Sequence, residues 1–400
     1  MTIRIFYIFF FISCFHNFLF SQPSKEALVK DLDAYRDSIE LKHINPFTKI
    51  SRKEFSKEIA LIKESSSAMN EDELMVALFK VNAKIGDEHT TVGYKDPQIF
   101  PLSLFWFEEG IYILSADTEY LDIIDGKIIS VNNFSIDNVT NKISELIAGT
   151  NSFIKNLTSY YLCSSAILHG LKIIDRVDYC TLSVVKLNGD TIKRKVETKK
   201  PQEVKFVKSP IGESFLRNQS RENYWYRFDS LTSSLYFHYL RCMPDKRKPF
   251  KKFQEELFNV LETKQARRLI IDLRYNSGGS SVLLNSFIEK LWRTNVRKHN
   301  EVFVLIGRRT FSSAILNAFD LKEKDDAILI GEETGGSVNH FGEVNFFKLP
   351  NSGISVGYST KYLLRDKNLS GSLKPDHPFP WKFSDFINGI DPALDYAKTH

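Results

Sequence analysis

Cysteine is scarce: four residues in a chain of 400. Cys14 lies in an N-terminal stretch expected to be removed, leaving Cys163, Cys180 and Cys242. An odd count permits at most one bridge, with Cys163 and Cys180 the nearest pair, so disulfides do not carry the fold. No CxxC motif and no His/Cys cluster has zinc spacing, and no structural metal is expected. Charge of one sign is lacking too. Lys and Arg number 54 against 49 Asp and Glu, for a formal net charge of +5. The two signs alternate along most of the chain, which argues against a nucleic-acid partner. Beyond residue 20 no apolar run is long enough to cross a membrane. Internal repeats and low-complexity segments are missing as well. What is plentiful is phenylalanine, 32 residues, in keeping with strands and buried aromatic packing. The length exceeds what one hydrophobic core usually spans, so two or three modules are expected.

The first residues read as an address. Met1 to Arg4 give a short positive start, Ile5 to Phe20 are nearly all apolar, and Ser21-Gln22-Pro23 follows. This is the pattern of a secretory signal peptide over 1–21, cleaved near Ser21/Gln22, and of an exported product at the cell surface, in the periplasm or secreted. An uncleaved anchor is the competing reading, but Ser13, Cys14, His16 and Asn17 interrupt the run. A lipid on Cys14 is a further alternative, with Phe11-Ile12-Ser13-Cys14 a poor lipoprotein box.

Residues 22–90 read as a helical region. Leu28, Leu32 and Tyr35 recur at helical spacing, as do Phe55, Ile59 and Ile62, and Asn70 precedes an acidic first turn. Residues 91–200 shift towards strands, with Ile111 to Leu114 and Thr181 to Val185 as examples and helices expected at 136–147 and 159–171. A polar, proline-bearing connector is placed at 201–225. From 226 to 400, strands and helices alternate, which argues for an α/β layer with a mostly parallel sheet. Working residues in such sheets gather at the carboxyl ends of the strands.

Two motifs fall at such ends. In Leu269-Ile270-Ile271-Asp272-Leu273-Arg274-Tyr275-Asn276-Ser277-Gly278-Gly279 an apolar strand runs into a Gly-Gly turn. Paired glycines let N–H groups converge on one point, where a developing oxyanion can be held. In Val302 to Ala314 a buried strand leads into Thr310-Phe311-Ser312-Ser313-Ala314 at a helix start. Such hydroxyls commonly cap helices, yet the same position suits a nucleophile that passes through an anion. A third string, Gly86-Asp87-Glu88-His89-Thr90, offers an imidazole able to act as a base near neutral pH.

Together these strings resemble the C-terminal-processing (tail-specific) serine peptidases, in the branch of the tricorn core and the retinoid-binding relatives. The first matches the family's DLRxNxGG signature, the third its xGDxHT segment, and Gly331-Glu332-Glu333-Thr334-Gly335-Gly336 its GExTGG turn. The run Gly126 to Val139 resembles the PDZ-like insert of these proteins. The resemblance implies a ClpP/crotonase-like catalytic domain behind a PDZ-like middle module and an N-terminal helical region. It implies a serine peptidase with a peptide or protein substrate and no dissociable cofactor; it sets no oligomeric state.

By resemblance, Ser312 is the nucleophile, with Ser313 its fallback, and His89 is the general base. Gly278 or Gly279 and the Ser313 N–H form the oxyanion hole, while Asp272, Arg274 and Asn276 hold the turn together. The bacterial branch's catalytic lysine would fall on Ser337, so a Ser–Lys dyad is not expected. Asp366, shortly before Lys374-Pro375-Asp376, is the nearest match to the triad acid, with Glu332 and Glu333 as competitors. His340 is an alternative base. Family members often carry glycine where this chain has Glu88. A non-catalytic binding protein on the same fold, or an esterase with the same triad, is the alternative reading.

Overall fold

The computed structural model describes residues 24–94, 96–209, 222–293 and 301–400. The expected signal peptide, and 210–221 of the expected connector, lie outside the described residues.

Three helices open the chain: α1 (Lys25–Lys42), α2 (Arg52–Ser65) and α3 (Glu71–Lys84). Each starts where a side chain satisfies free N–H groups of the first turn. Ser24 accepts from Ala27 N–H, and Ser51/Glu54 and Asn70/Glu73 form capping boxes. The helical stripe of α1, Leu28, Leu32, Tyr35 and Ile39, is buried as its spacing requires.

The short strand β1 (Thr91–Val92) leads to β2 (Leu102–Phe107), β3 (Gly110–Asp117), β4 (Lys127–Val131) and β5 (Phe134–Ser135). Then come α4 (Ile136–Ser144), α5 (Asn151–Tyr161), α6 (Ser165–Gly170), β6 (Tyr179–Val185), β7 (Thr191–Glu197) and β8 (Phe206–Lys208). Seven of these strands make an antiparallel sheet in the order β2-β3-β4-β6-β7, with β5 on β4 and β8 on β3. One helix expected at 159–171 is two. The Ser164 side chain bonds to Asp96 and accepts from Ile167 N–H, so it ends one helix and starts the next. Competition from a serine side chain of this kind is invisible to apolar periodicity.

The C-terminal part holds β9 (Tyr224–Asp229), β10 (Ser234–Tyr239), α7 (Phe250–Thr263), β11 (Arg268–Asp272), α8 (Val282–Arg293), β12 (Glu301–Ile306), α9 (Ser313–Asp325) and β13 (Ile328–Gly331). Two long strands, β14 (His340–Lys348) and β15 (Ser355–Leu363), precede β16 (His377–Pro378), α10 (Phe383–Ile387) and α11 (Pro392–Thr399). The main sheet has six strands in the order β16-β13-β12-β11-β10-β9, parallel except where β9 meets β10. Its inner strands are mostly apolar, with runs such as Leu269-Ile270-Ile271 and Val302 to Ile306, because both faces are covered. One face packs on α7, α8 and α9, the other on Ala393 and Ala397 of α11. A mixed α/β architecture with an N-terminal helical region and a largely parallel sheet is therefore present.

The hairpin β14–β15 and strand β1 form a separate three-stranded sheet in the order β1-β15-β14. One continuous core joins the N-terminal helices, the seven-stranded sheet, Phe311 and Val356. Segments far apart in sequence are thus fastened around the strand ends of the main sheet. Among the described residues no helix is long and apolar enough to cross a membrane.

Candidate active site

The turns that follow β11 and β12 lie side by side. Thr310 Oγ donates to Leu273 O at 2.8 Å and accepts from Gly307 N–H at 2.9 Å. Phe311 N–H donates to Asn276 O. Asn276 is fully buried; its amide donates to Tyr239 O, and its Oδ1 accepts from Gly278 N–H at 2.9 Å. Beneath, Arg274 bonds Asp272 and reaches Asp391 at 2.9 Å, and Tyr236 donates to Asp272. Asp272 and Arg274 therefore brace the turn from below.

Ser312 stands at the start of α9 with φ 52° and ψ −125°. A non-glycine residue held there carries strain of about 1–3 kcal/mol, and such strain gathers where function requires it. A side chain on Gly278 would meet Ser312 Cβ at 2.8 Å and Phe311 O at 2.9 Å, so only glycine lets the two turns come this close. Gly278 N–H is already committed to Asn276. The N–H groups of Gly279 and Ser313 have no partner among the described residues. Gly278 is thus the spacer of the pair, and Gly279 and Ser313 carry the free donors. The Ser313 hydroxyl donates to Gly279 O at 2.7 Å, which ties it to the opposite turn.

His89 is brought to this place by bonds on both sides of it. Asp87 Oδ1 accepts from His89 N–H at 2.9 Å. Its Oδ2 accepts from Thr90 Oγ at 2.6 Å, Ser359 Oγ at 2.7 Å and His43 Nε2 at 3.0 Å. His43 Nδ1 accepts from Asn45 N–H, which makes Nε2 the protonated nitrogen. Burial works against the charge of Asp87, but these donors prevail and hold its carboxyl at about 2. Immediately afterwards, Thr91 and Val92 pair with Gly357 and Val356 of β15.

Glu88 makes the second attachment. Its carboxylate is buried, accepts from Ser337 N–H at 3.1 Å and lies 3.2 Å from Ser337 Oγ. Burial pushes this carboxyl up to about 7. Where the bacterial branch would carry its lysine, this chain has a serine engaged with Glu88.

The ring of His89 lies in a column of four. Phe153 stacks on Phe311 at 4.8 Å, Phe311 on His89 at 4.6 Å, and His89 on His340 at 5.1 Å. Both faces of the imidazole are covered, and both its nitrogens are buried and unpartnered. Burial, then the neighbouring His340, hold its pKa down at about 3 against the pull of Asp87, so the ring is neutral at pH 7. No hydrogen bond joins it to Ser312 among the described residues, but its stacking partner is the residue next to that serine. His340 Nδ1–H donates to Ser337 O at 2.8 Å, which leaves Nε2 bare.

The acids behave differently. Asp366 lies beyond β15. Its carboxylate accepts from Asn368 N–H at 2.8 Å, and its backbone is held by Asn339. It makes no bond to His89. Glu332 is taken by Arg308 and by Trp381 N–H. Cys163, Cys180 and Cys242 are all free thiols. Asp87, the Phe311 stack and the Glu88–Ser337 contact went unread in the sequence. The signal for the first was its place two residues before the histidine.

The mixed α/β architecture with an N-terminal helical region and a largely parallel sheet agrees with what the family resemblance implies, and solved structures share it. Mature CPAF superposes with a TM-score of 0.68 at 14% identity, over 94% of this chain and 96% of that one. Mature CPAF complexed with lactacystin gives 0.68 at 14% identity, over 94% and 98%. A CPAF point mutant gives 0.66 at 14%, over 94% and 96%. At this identity the superposition shows a common fold and nothing finer. No family model and no curated protein sequence matches the chain.

Proposed function

We propose that this chain is an exported serine peptidase. The observation that carries the reading is the meeting of three features: a strained Ser312, two free N–H groups at Gly279 and Ser313, and a neutral imidazole stacked on Phe311. Ser312 Oγ attacks the carbonyl carbon of a peptide bond as its proton passes to His89. The carbonyl oxygen takes the negative charge and is held by the Gly279 and Ser313 N–H groups. The C–N bond then breaks, the amine leaves with the proton from His89, and water releases the acyl group by the same steps in reverse. In this reading Asp366 is the acid that orients His89, and Asp87 lends its negative charge to the imidazolium from the backbone side. The modules are read as 22–90, a PDZ-like 91–200, the connector 201–225 and the catalytic 226–400. Residues 1–21 are read as the export signal.

The test is covalent labelling with a fluorophosphonate, followed by mapping of the modified residue. The expected adduct is on Ser312, lost in Ser312→Ala and strongly slowed in His89→Ala. A panel of peptide and ester substrates then separates a peptidase from an esterase. A protein that labels at no serine and turns over neither class is a binding protein on this fold. An amino terminus at Gln22 in the exported protein would support the signal.

A further inference from the structure

Arg309 lies three residues before Ser312, so their Cα atoms are at most about 10–11 Å apart. It is half-buried, and it differs from the other arginines around the site. Arg308 is neutralised by Glu332, and Arg274 by Asp272 and Asp391. Arg309 pairs with no carboxylate among the described residues. Its one side-chain hydrogen bond among the described residues is from Nε to Asn156 Oδ1, at 3.3 Å. The guanidinium lies over the rings of Tyr160, at 5.7 Å, and Tyr275, at 5.9 Å. Five N–H donors sit on this group, and the four on the two Nη atoms have no partner among the described residues.

The side chains around it come from two elements that flank the turn of Ser312. Phe153, Asn156 and Tyr160 are spaced to share one face of α5. Phe153 packs on Phe311, which turns that face to the nucleophile's turn. On the other side, Tyr275 is three residues before Gly278 in the turn that carries the free Gly279 N–H. A planar guanidinium held between two aromatic rings keeps its fork in one orientation, and the fork fits a carboxylate in a bidentate manner.

We propose that Arg309 is a substrate-carboxylate site beside the candidate nucleophile, selecting peptides with an acidic side chain or a free carboxyl terminus close to the scissile bond. This rests on the hydrolase reading above. Two peptide series test it. One compares Glu with Gln at each position within three residues of the cleaved bond; the other compares a carboxyl-terminal acid with its amide. The expected result is a kcat/KM preference of about tenfold for the carboxylate in one series, carried by KM. The responding series identifies the source of the carboxylate. Arg309→Ala brings the ratio to about one, Arg309→Lys retains part of it, and Arg309→Glu favours a Lys peptide, while thermal melting verifies that each variant folds.

A wild-type ratio near one in both series, or a preference that survives Arg309→Ala, overturns the inference. Fluorophosphonate labelling of the wild type separates the two failures. Labelling at Ser312 with a flat ratio removes the role of Arg309 alone, and absent labelling removes the hydrolase. In the latter case, equilibrium binding of the same fluorescent peptides to wild type and Arg309→Ala decides the matter. Carboxylate-dependent binding lost in the variant upholds the site, and equal binding of acid and amide rejects it.

Discussion

Ser312 combines chemistry with backbone cost. Its positive φ is easily adopted by glycine, so Ser312→Gly is expected to raise stability by about 1 kcal/mol while removing labelling and turnover. A melting curve beside an activity assay reads both, and a Tm that falls would show that the turn carries no strain. Gly278→Ala acts through space. Its new methyl meets Ser312 Cβ and Phe311 O, so Ser312 must shift. A shift of this kind costs on the order of 100-fold in kcat/KM, and normal turnover in this variant would mean the turns are less tightly apposed than described.

Among the elements, the small sheet β1-β15-β14 decides where His89 stands. Asp87 alone takes hydrogen bonds from four residues: His43, His89, Thr90 and Ser359. Asp87→Asn keeps the shape but lacks the charge and acceptor capacity that these donors need. About 2–3 kcal/mol of stability is expected to go, since buried donors lose the charged acceptor that satisfied them. Labelling of Ser312 should slow in the same variant. Ser359→Ala removes only one donor and should cost about 1 kcal/mol. Equal effects from the two, measured by denaturant unfolding, would show that Asp87 is not the hub. The strands β14 and β15 were not expected from the sequence. Only five of their eighteen residues are buried, so no apolar run marks them, and their partner β1 is only two residues long.

For the whole molecule, two buried groups next to each other titrate in opposite senses. The folded state raises Glu88 from its ordinary 4.5 to about 7, so the protonated acid is favoured. That contribution is complete below about pH 4.5 and is lost as the pH rises through 7. The fold lowers His89 from 6.5 to about 3, so its neutral form is favoured, and that contribution is lost as the pH falls from 6.5 towards 3. Stability should therefore decline on both sides of a mildly acidic maximum. Glu88→Gln has no charge to bury, and its Tm should exceed that of the wild type at pH 8 while differing little at pH 5. An unchanged Tm at pH 8 would mean that Glu88 is ionised without cost.

Residue order alone determined the α/β class, the N-terminal helices with the Asn70 cap of the third, and the two strand-end turns. These are local: periodicity, capping and Gly-Gly signals act over a few residues, and the resemblance rested on contiguous strings. The tertiary structure decided which glycine N–H stays free, because Asn276 takes that of Gly278. It also stood His89 beside Phe311, joined Glu88 to Ser337, and left Asp366 with its own loop. Contacts that close across 200 residues or more depend on how strands from distant segments pair, and no local pattern in the chain encodes that pairing.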